Sequence, residues 1–136
     1  MIAADTSAIV AIILGEPERA TFRAAIHQAS KVLISTVSVI ETKMVLHARW
    51  GERALVLADD LFGLPQFEIT PPTLADMDAA LGAFLLYGKG RGHRAALNFG
   101  DLFSYALAKV RHLPLLFKGG DFAATDLRSV VSSLNS

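Results

Sequence analysis

Residues 2–14 read Ile-Ala-Ala-Asp-Thr-Ser-Ala-Ile-Val-Ala-Ile-Ile-Leu, a short apolar run that ends in an acid and continues at once into a longer apolar stretch. The run Ile2 to Asp5 predicts a buried strand, and Thr6 to Leu14 predicts a helix that stops at Gly15. Strands followed directly by helices belong to βαβ units, in which the strands run parallel. The opening stretch therefore favours an α/β fold.

The same alternation of strand-like and helical patterns continues along the chain, without an internal repeat or a low-complexity linker. Further strands are predicted at Val32–Ile34, Phe67–Ile69, Pro114–Phe117 and Val130–Val131. Further helices are predicted at Pro17–Ala29, from a Ser35 cap to Trp50, at Glu52–Phe62, from Thr73 to about Tyr87, and at Phe99–Arg111. The expected fold class is α/β, with a central parallel sheet of four to five short strands flanked by helices.

Local start signals support these helices. Pro17 suits a first helical position, and Ser35 and Asn98 are typical N-cap residues. Thr73 and Asp76 resemble a capping box, although the usual partner at the third position is Glu or Gln. We therefore expect helices to begin close to these residues.

Size and composition limit what the chain can be. Its 136 residues fit one domain, residues 1–136, with a core of its own. The longest apolar run, Ala8 to Leu14, is too short for a bilayer, which needs about 20 residues. The hydrophobic fraction of 52% is high for a soluble chain, so spare apolar surface points to a protein partner.

Charge and cysteine content restrict the partners and the compartment. The formal net charge is zero, so the chain as a whole is not an electrostatic nucleic-acid binder. One local basic segment, Lys89-Gly90-Arg91-Gly92-His93-Arg94, is either a nucleic-acid contact or a solvated mobile loop. The chain has no cysteine, which excludes disulfides and thiolate ligands, and its start lacks the features of a secretion signal, so we expect a cytoplasmic protein.

Four carboxylates, Asp5, Glu41, Asp101 and Asp121, stand where a parallel α/β sheet would gather them at one edge. Three of them also have a purely structural interpretation. Asp5 suits an N-cap, Asp101 suits the positive end of a helix dipole, and Asp121 suits a turn. Taken singly, these three acids are better explained by structure than by chemistry.

Glu41 is the most informative acid, because it shares a helix face with Val37, Ile40, Met44 and Val45. The i, i+3, i+4, i+7 spacing of these residues is typical of a core-facing stripe, so we expect this face to be buried. A buried carboxylate needs a nearby cation or must be protonated, since an unpaired buried charge costs several kcal/mol. A structural ion pair and a metal site explain Glu41 equally well.

Together the four acids favour a divalent-metal site. Two like charges about 4 Å apart repel by roughly 4 kcal/mol at an effective dielectric of 20, and a divalent cation relieves that repulsion. The four histidines show no ligand spacing, and an all-oxygen ligand set favours Mg²⁺ or Mn²⁺ over zinc. Such a site suits phosphodiester hydrolysis. Thr6 and Ser7 are either ordinary capping hydroxyls or donors to a metal-bound water or a phosphate.

Whole segments of the chain resemble the PIN-domain ribonucleases, in particular the VapC-type toxins of bacterial toxin–antitoxin pairs. The resemblance rests on Asp5-Thr6-Ser7-Ala8-Ile9-Val10-Ala11, Ser35 to Glu41, Tyr87-Gly88-Lys89-Gly90, Leu97-Asn98-Phe99-Gly100-Asp101 and Leu116-Phe117-Lys118-Gly119-Gly120-Asp121-Phe122. It covers essentially the whole chain. The Asn-Phe-Gly-Asp segment followed by Phe-Lys-Gly-x-Asp-Phe is specific, whereas Asp-Thr-Ser alone is weak.

The resemblance implies a PIN-like three-layer domain, Mg²⁺- or Mn²⁺-dependent endoribonuclease activity, dimerisation, and neutralisation by a small antitoxin that also binds DNA. It implies that Asp5, Glu41 and Asp101 are the principal metal ligands, with Asp121 as the fourth acid. Relatives often carry an acid or Asn just before the last Asp-Phe pair. Because this chain has Gly119-Gly120 there, the resemblance also implies a weak or absent second metal subsite.

Three functional hypotheses compete. The first is a metal-dependent RNA endonuclease in which all four acids are catalytic and bind metal. The residues expected to contact its substrate are Thr6, Ser7, Lys89, Arg91 and Arg94. The second is a catalytically silent PIN-like module that binds RNA or protein. The third, a phosphatase or receiver-like domain that uses Asp5 as nucleophile, is disfavoured because no second acid follows two positions later.

Overall fold

The centre of the protein is a parallel sheet, seen in a computed structural model that describes residues 1–131. Within that range its four strands are β1 (Ile2–Ala4), β2 (Val32–Ser35), β3 (Phe67–Thr70) and β4 (Leu115–Leu116). They pair in the order β3-β2-β1-β4. Successive strands therefore add to one side of β1 until β4 is placed on the other side, and the strand order reverses between β1 and β4.

Helices cover both faces of the sheet. Within residues 1–131 they are α1 (Thr6–Leu14), α2 (Arg19–Gln28), α3 (Thr36–Trp50), α4 (Glu52–Phe62), α5 (Leu74–Tyr87) and α6 (Phe99–Arg111). A short 3-10 helix follows at Phe122–Ala124. The α/β class and the parallel sheet flanked by helices are confirmed. Of these helices, none is long and apolar enough to cross a membrane.

Successive side chains along the strands belong alternately to two separate hydrophobic cores. Ala4 of β1 and Ile34 of β2 belong to the core formed with α1, α2 and α4, whereas Ala3 and Leu33 belong to the core formed with α5 and α6. Successive strand residues point to opposite faces, so both faces of this short sheet are buried. The result is a three-layer arrangement with the sheet in the middle.

Capping explains why the predicted starts of α3, α5 and α6 are confirmed. The side chain of Ser35 accepts the N–H of Val37 at the start of α3. Thr73 and Asp76 exchange side-chain and backbone hydrogen bonds at the start of α5, and Asn98 and Asp101 do the same at the start of α6. Asp thus serves at the third position of both capping boxes, where Glu or Gln is more usual.

Two boundaries differ from the prediction. Pro17 does not open α2, because Lys118 pairs with both Glu16 (2.7 Å) and Glu18 (3.4 Å) and holds this turn against the loop after β4, so that α2 begins only at Arg19. The predicted last strand at Val130–Val131 is a turn. The preceding residue, Ser129, forms a single parallel bridge to Leu115 instead. With only two residues, β4 offers little edge for a longer pairing.

The orientation of α3 also differs from the prediction. The face expected to be buried is open to solvent, with relative exposures of 55% for Ile40, 66% for Met44 and 40% for Val45. The buried face carries Ser38 and Thr42 instead. These hydroxyls tolerate burial because each has a hydrogen-bond partner within the protein. Helical spacing alone could not separate the two faces, since both repeat with the same period.

A buried ion pair joins α5 to α6. Asp76 is 2% exposed and accepts two hydrogen bonds from Arg111, from Nη1 to Oδ1 at 2.8 Å and from Nη2 to Oδ2 at 3.1 Å. Burial alone would raise the pKa of Asp76, but the bonds from Arg111 and Thr73 outweigh it and hold the pKa below its ordinary value. The pair therefore stabilises the packing of the helix that carries Asp101.

We predict that Arg111→Met lowers the free energy of unfolding by about 2–3 kcal/mol at pH 7, because it leaves the buried Asp76 carboxylate without its partner. Lys31→Met, in the exposed Lys31–Glu68 pair, is the matched control and should lose less than about 1 kcal/mol. Urea unfolding measures both. The pKa of Asp76 is lower in the folded state than its ordinary value of 3.8. The ion pair therefore contributes its full stabilisation above pH 3.8, and this stabilisation is lost as the pH falls through the folded-state pKa. Equal losses in the two variants would contradict this role.

Candidate active site

The four predicted acids approach one another at the carboxyl edge of the sheet, where the strand order reverses between β1 and β4. Asp5 follows β1 directly, and Asp121 follows β4 across a short loop. Glu41 lies on α3, and Asp101 lies in the first turn of α6. In open α/β sheets, ligands bind at this reversal point, outside the carboxyl ends of the strands.

Asp5 is the most deeply held of these acids. It is 2% exposed, and each of its carboxylate oxygens accepts a hydrogen bond. Oδ2 accepts the N–H of Ser7 at 2.9 Å, which makes Asp5 the N-cap of α1 as well as a site residue. Oδ1 accepts the hydroxyl of Ser104 at 2.5 Å. The structural and the functional interpretations of Asp5 are therefore compatible.

Glu41 reaches the site across the first turn of α6. Its carboxylate oxygens lie so close to Gly100 that a Cβ atom built there would overlap them. Gly100 is itself buried, so its missing side chain provides the space that the carboxylate of Glu41 occupies. The glycine of the Asn-Phe-Gly-Asp segment thus has a direct steric role beside the acids.

The pKa of Asp101 is affected by the charges of all three other acids. Burial is the main cause that raises its pKa to about 6, and the N–H of Asn98 partly opposes that effect. The negative charges of Asp5, Glu41 and Asp121 each raise the pKa further. The four carboxylates therefore share one electrostatic environment.

Asp121 is the most exposed of the four acids, and its loop is anchored just before it. The N–H of Lys118 donates to Ser7 Oγ at 3.0 Å, and its ammonium group pairs with Glu16. Gly119, at a φ of 102°, then turns the chain in a conformation that favours glycine. Asp121 lines a shallow polar depression together with Arg94.

The chemistry of this donor set fits a hard divalent cation, because carboxylate oxygens are the ligands that Mg²⁺ and Mn²⁺ prefer. Within residues 1–131, however, no group of three or more acidic, histidine or cysteine side chains is already arranged to hold a metal ion. A cation would therefore have to draw the carboxylates inward. Hydrogen bonds fix Asp5 and Asp101, whereas the partly exposed Glu41 and the exposed Asp121 have room to rotate.

The other residues expected at the site have varied surroundings. Thr6 donates from Oγ1 to the carbonyl oxygen of Ser38 at 3.1 Å, and Ser7 accepts from Lys118, so both hydroxyls have partners within the protein. Of the basic residues, Arg91 lies over the ring of Phe84, 5.7 Å from its centroid. Lys89 is exposed in the same loop. Arg94 alone of these cations lines the depression that contains Asp121. Their contact with substrate stays a prediction.

Sequence reasoning missed three residues that shape the site: Ser38, Gly100 and Ser104. All three are buried against the acids or their supporting helices. One signal was available for Ser104, which follows Asp101 by three residues and so shares its helix face. The same spacing was available for Ser38, which precedes Glu41 by three residues, but the wrong choice of the buried face of α3 hid its significance.

We predict that Asp101→Asn stabilises the metal-free protein at pH 8 by about 1–2 kcal/mol, after allowance for solvent screening. The raised pKa of Asp101 means that its ionised form opposes folding above about pH 6 and has no effect below 3.8, where the group is protonated in both states. Thermal unfolding in EDTA between pH 4 and 8 tests this. Asp78→Asn, at an exposed position of α5, should change nothing. A loss of stability at pH 8 would contradict the electrostatic account.

Known proteins resemble this chain over nearly all of its length. A family model of the PIN domain matches residues 2–127. Ribonuclease VapC30 of Mycobacterium tuberculosis is 44% identical over 126 residues, which cover 93% of this chain and 95% of that protein.

Solved structures resemble this chain in fold. VapC20 of M. tuberculosis, described as a Sarcin-Ricin loop cleaving toxin, has a TM-score of 0.76 at 21% identity, and the match covers 93% of this chain and 96% of that chain. A toxin–antitoxin complex from Klebsiella pneumoniae has a TM-score of 0.67 at 18% identity, over 93% of each chain. These two likenesses concern the fold. Because the family model matches residues 2–127 and VapC30 is 44% identical, the chain belongs to the PIN-domain family and, within it, to the VapC ribonucleases.

Proposed function

We propose that this protein is a divalent-metal-dependent endoribonuclease that serves, in the cytoplasm, as the toxin of a toxin–antitoxin pair. Its place among the VapC ribonucleases supports hydrolysis of RNA. The observation that carries the metal-dependent mechanism is geometric: Asp5 follows β1, Asp101 lies in the first turn of α6, and the carboxylate of Glu41 lies against Gly100 in that turn. We assign the activity to one domain, residues 1–136.

In this mechanism Asp5, Glu41 and Asp101 would hold a Mg²⁺ or Mn²⁺ ion, and Asp121 would complete the acidic set. A bound ion would supply Lewis-acid chemistry, polarising a phosphate oxygen and lowering the pKa of a water molecule, so that no protein nucleophile would be needed. The buried Asp5 would supply a fixed carboxylate, and the partly exposed Glu41 would supply a second carboxylate from the solvent side. Asp101 carries a proton up to about pH 6, so its protonation opposes cation binding below that pH.

The basic loop between α5 and α6 is the proposed contact for the RNA backbone. Arg94 and Asp121 line the same depression, which supports a phosphate held beside the acids. The loop is closed at its base, where Lys89 donates its N–H to the carbonyl oxygen of Leu97 at 2.8 Å. Thr6 and Ser7 support the site through their internal hydrogen bonds, and Ser7 is the one of the two with partial exposure.

Two apolar surfaces are the proposed contacts for protein partners, one for the antitoxin and one for a second copy of the chain. We assign the groove between α1, α2 and α4 to the antitoxin; its lining includes Ile12, Ile13, Leu57, Leu61 and Leu64. We assign a homodimer contact to the outer stripe of α5, where Leu74, Met77, Leu81 and Leu85 are 80%, 56%, 60% and 54% exposed. DNA is expected to be bound only indirectly, through the antitoxin.

One observation favours a second candidate, a catalytically silent PIN-like module that binds RNA or protein. Within residues 1–131, no group of three or more acidic, histidine or cysteine side chains is already arranged to hold a metal ion. The same assay separates the two candidates, because the module would bind RNA without cleaving it.

We predict that the purified chain cleaves RNA with Mg²⁺ or Mn²⁺ and that EDTA abolishes cleavage. Asp5→Asn and Asp101→Asn should each lower kcat/KM by a factor of about 10² to 10³ or more, because each removes charge that the cation requires. Gel analysis of an end-labelled RNA measures the rate. Asp78→Asn, which removes an exposed acid of α5, is the control and should cleave like the wild type. Undiminished cleavage by the two site variants would indicate a contaminating nuclease and defeat the proposal.

We predict that Arg94→Ala weakens RNA binding and flattens its dependence on salt, because a lost phosphate contact releases fewer counterions. The slope of log Kd against log[NaCl] should fall by about 0.7 for a single-stranded RNA, and the Arg91→Ala/Arg94→Ala double variant should fall further if Arg91 leaves the Phe84 ring to bind phosphate. Fluorescence anisotropy in an Asp101→Asn background measures binding without cleavage. Arg53→Ala, at the start of α4, is the control; a slope equal to that of this control would remove Arg94 from the RNA path.

A further inference from the structure

Each helix that carries a site acid also carries a buried serine one turn away. Ser38 precedes Glu41 by three residues on α3, and Ser104 follows Asp101 by three residues on α6. Residues at this spacing lie on the same helix face. Both serines are 0% exposed, and their Oγ atoms lie 3.1 Å apart. The two helices are therefore hydrogen-bonded to each other directly beneath the acids.

The direction of these hydrogen bonds follows from proton counting. Ser104 donates its only hydroxyl proton to Oδ1 of Asp5 at 2.5 Å. It has no second proton for Ser38, so Ser38 must be the donor in the bond between the two serines. The chain runs in one direction, from Ser38 through Ser104 to Asp5. Hydroxyls in such a chain polarise one another, so the donor nearest the carboxylate is strengthened by the one behind it.

The start of the chain is itself held in place. The carbonyl oxygen of Ser38 accepts a hydroxyl hydrogen bond from Thr6 at 3.1 Å. Thr6 is adjacent to Asp5, so α3 is tied to the acid's own segment as well as to α6. The Asp5 carboxylate is fixed from two directions, by Ser104 at Oδ1 and by the N–H of Ser7 at Oδ2.

The position of this chain argues for more than packing. Two facing hydroxyls within an apolar core add little stability over well-packed apolar residues, because each must first be removed from water. Here the two hydroxyls connect α3, α6 and the segment that carries Asp5, and the carboxylates of these three segments repel one another. A fixed Asp5 and a fixed spacing of α3 and α6 would keep the acids in place before a cation neutralises them.

We propose that Ser104, supported by Ser38, is a positioning residue that orients the Asp5 carboxylate for the divalent cation. Asp5 accepts the Ser104 hydroxyl with Oδ1 and keeps its remaining lone pairs for the cation. Ser38 acts only through Ser104. The proposal rests on the proposed function, since it assigns these serines to the same metal site.

Isothermal titration of the full chain with Mn²⁺, in the absence of RNA, tests this proposal. Ser104→Ala should raise the Kd for Mn²⁺ about tenfold, within the usual range for groups that hydrogen-bond to a metal ligand. Ser38→Ala should raise it by a smaller factor, about two- to fivefold, and should add nothing in the Ser104→Ala background. In RNA cleavage at saturating RNA, Ser104→Ala should lower kcat with little change in the KM for RNA. An unchanged Kd in Ser104→Ala, or effects of the two variants that multiply, would overturn the proposal.

A matched variant separates positioning from general loss of a buried hydroxyl. Thr42→Val removes a fully buried hydroxyl from the same face of α3 while keeping its volume, and this hydroxyl donates only to a backbone carbonyl. It should leave the Kd for Mn²⁺ at the wild-type value; a rise as large as that of Ser38→Ala would overturn the proposal. If Ser104→Ala does not fold, Ser38→Ala against Thr42→Val decides the question. Failure of the wild type to bind Mn²⁺ would instead defeat the proposed metal-dependent function.

Discussion

Repulsion among Asp5, Glu41, Asp101 and Asp121 has to be withstood by the fold before any cation arrives. The pKa of Asp101 registers this repulsion most clearly, because burial and the three neighbouring charges raise it to about 6. Free carboxylates would move apart into water. They remain together because β1, β4, α3 and α6 are fixed by packing that has nothing to do with charge, and because two of the acids also cap helices. Stability and site geometry are therefore linked at the same residues.

Several polar contacts within residues 1–131 hold the segments that carry the acids. Lys118 joins the loop after β4 to Ser7 and to the turn before α2, and Ser104 joins α6 to Asp5. Asp76 and Arg111 hold α5 against α6 from the far end. Each contact connects segments distant in sequence, and each lies where a shift of a helix would change the separation of the acids. The apolar cores decide the fold, and these contacts decide how precisely the acids are placed.

The sequence was sufficient for most of the helices and strands, whereas the assignment of the four acids to a metal site stays a prediction. Caps at Ser35, Thr73 and Asn98 act through neighbouring residues only, so the predicted starts of three helices agree with the structure. The sequence failed where long-range contacts overrode local preference. Pro17 is an adequate first helical residue. Lys118, about 100 residues further along the chain, pairs with Glu16 and Glu18 on either side of it and holds this turn against the loop after β4. The parallel arrangement follows from the alternation of strands and helices, whereas the reversal of strand order between β1 and β4 depends on long-range pairing that the sequence pattern does not specify.

The orientation of α3 is the most instructive error. Its apolar stripe, including Ile40 and Met44, was expected to lie in the core, but it is exposed, and the buried face carries hydroxyls. A hydroxyl with internal partners can be buried at little cost, and an apolar stripe can remain outside where a partner is to bind. Glu41 therefore reaches the site from a partly exposed helix face. Glu41 is not forced into the core, and its carboxylate lies against Gly100, the neighbour of Asp101.

The central claim is that these carboxylates form one pocket that closes around a divalent cation. Anomalous diffraction from crystals of the protein soaked in MnCl₂ tests it most directly. The account predicts one strong manganese peak at the carboxyl edge of β1, with Asp5 and Asp101 oxygens at bonding distance and the side chain of Glu41 rotated toward it. Manganese bound elsewhere on the surface, with the four acids left in their metal-free positions, would contradict it.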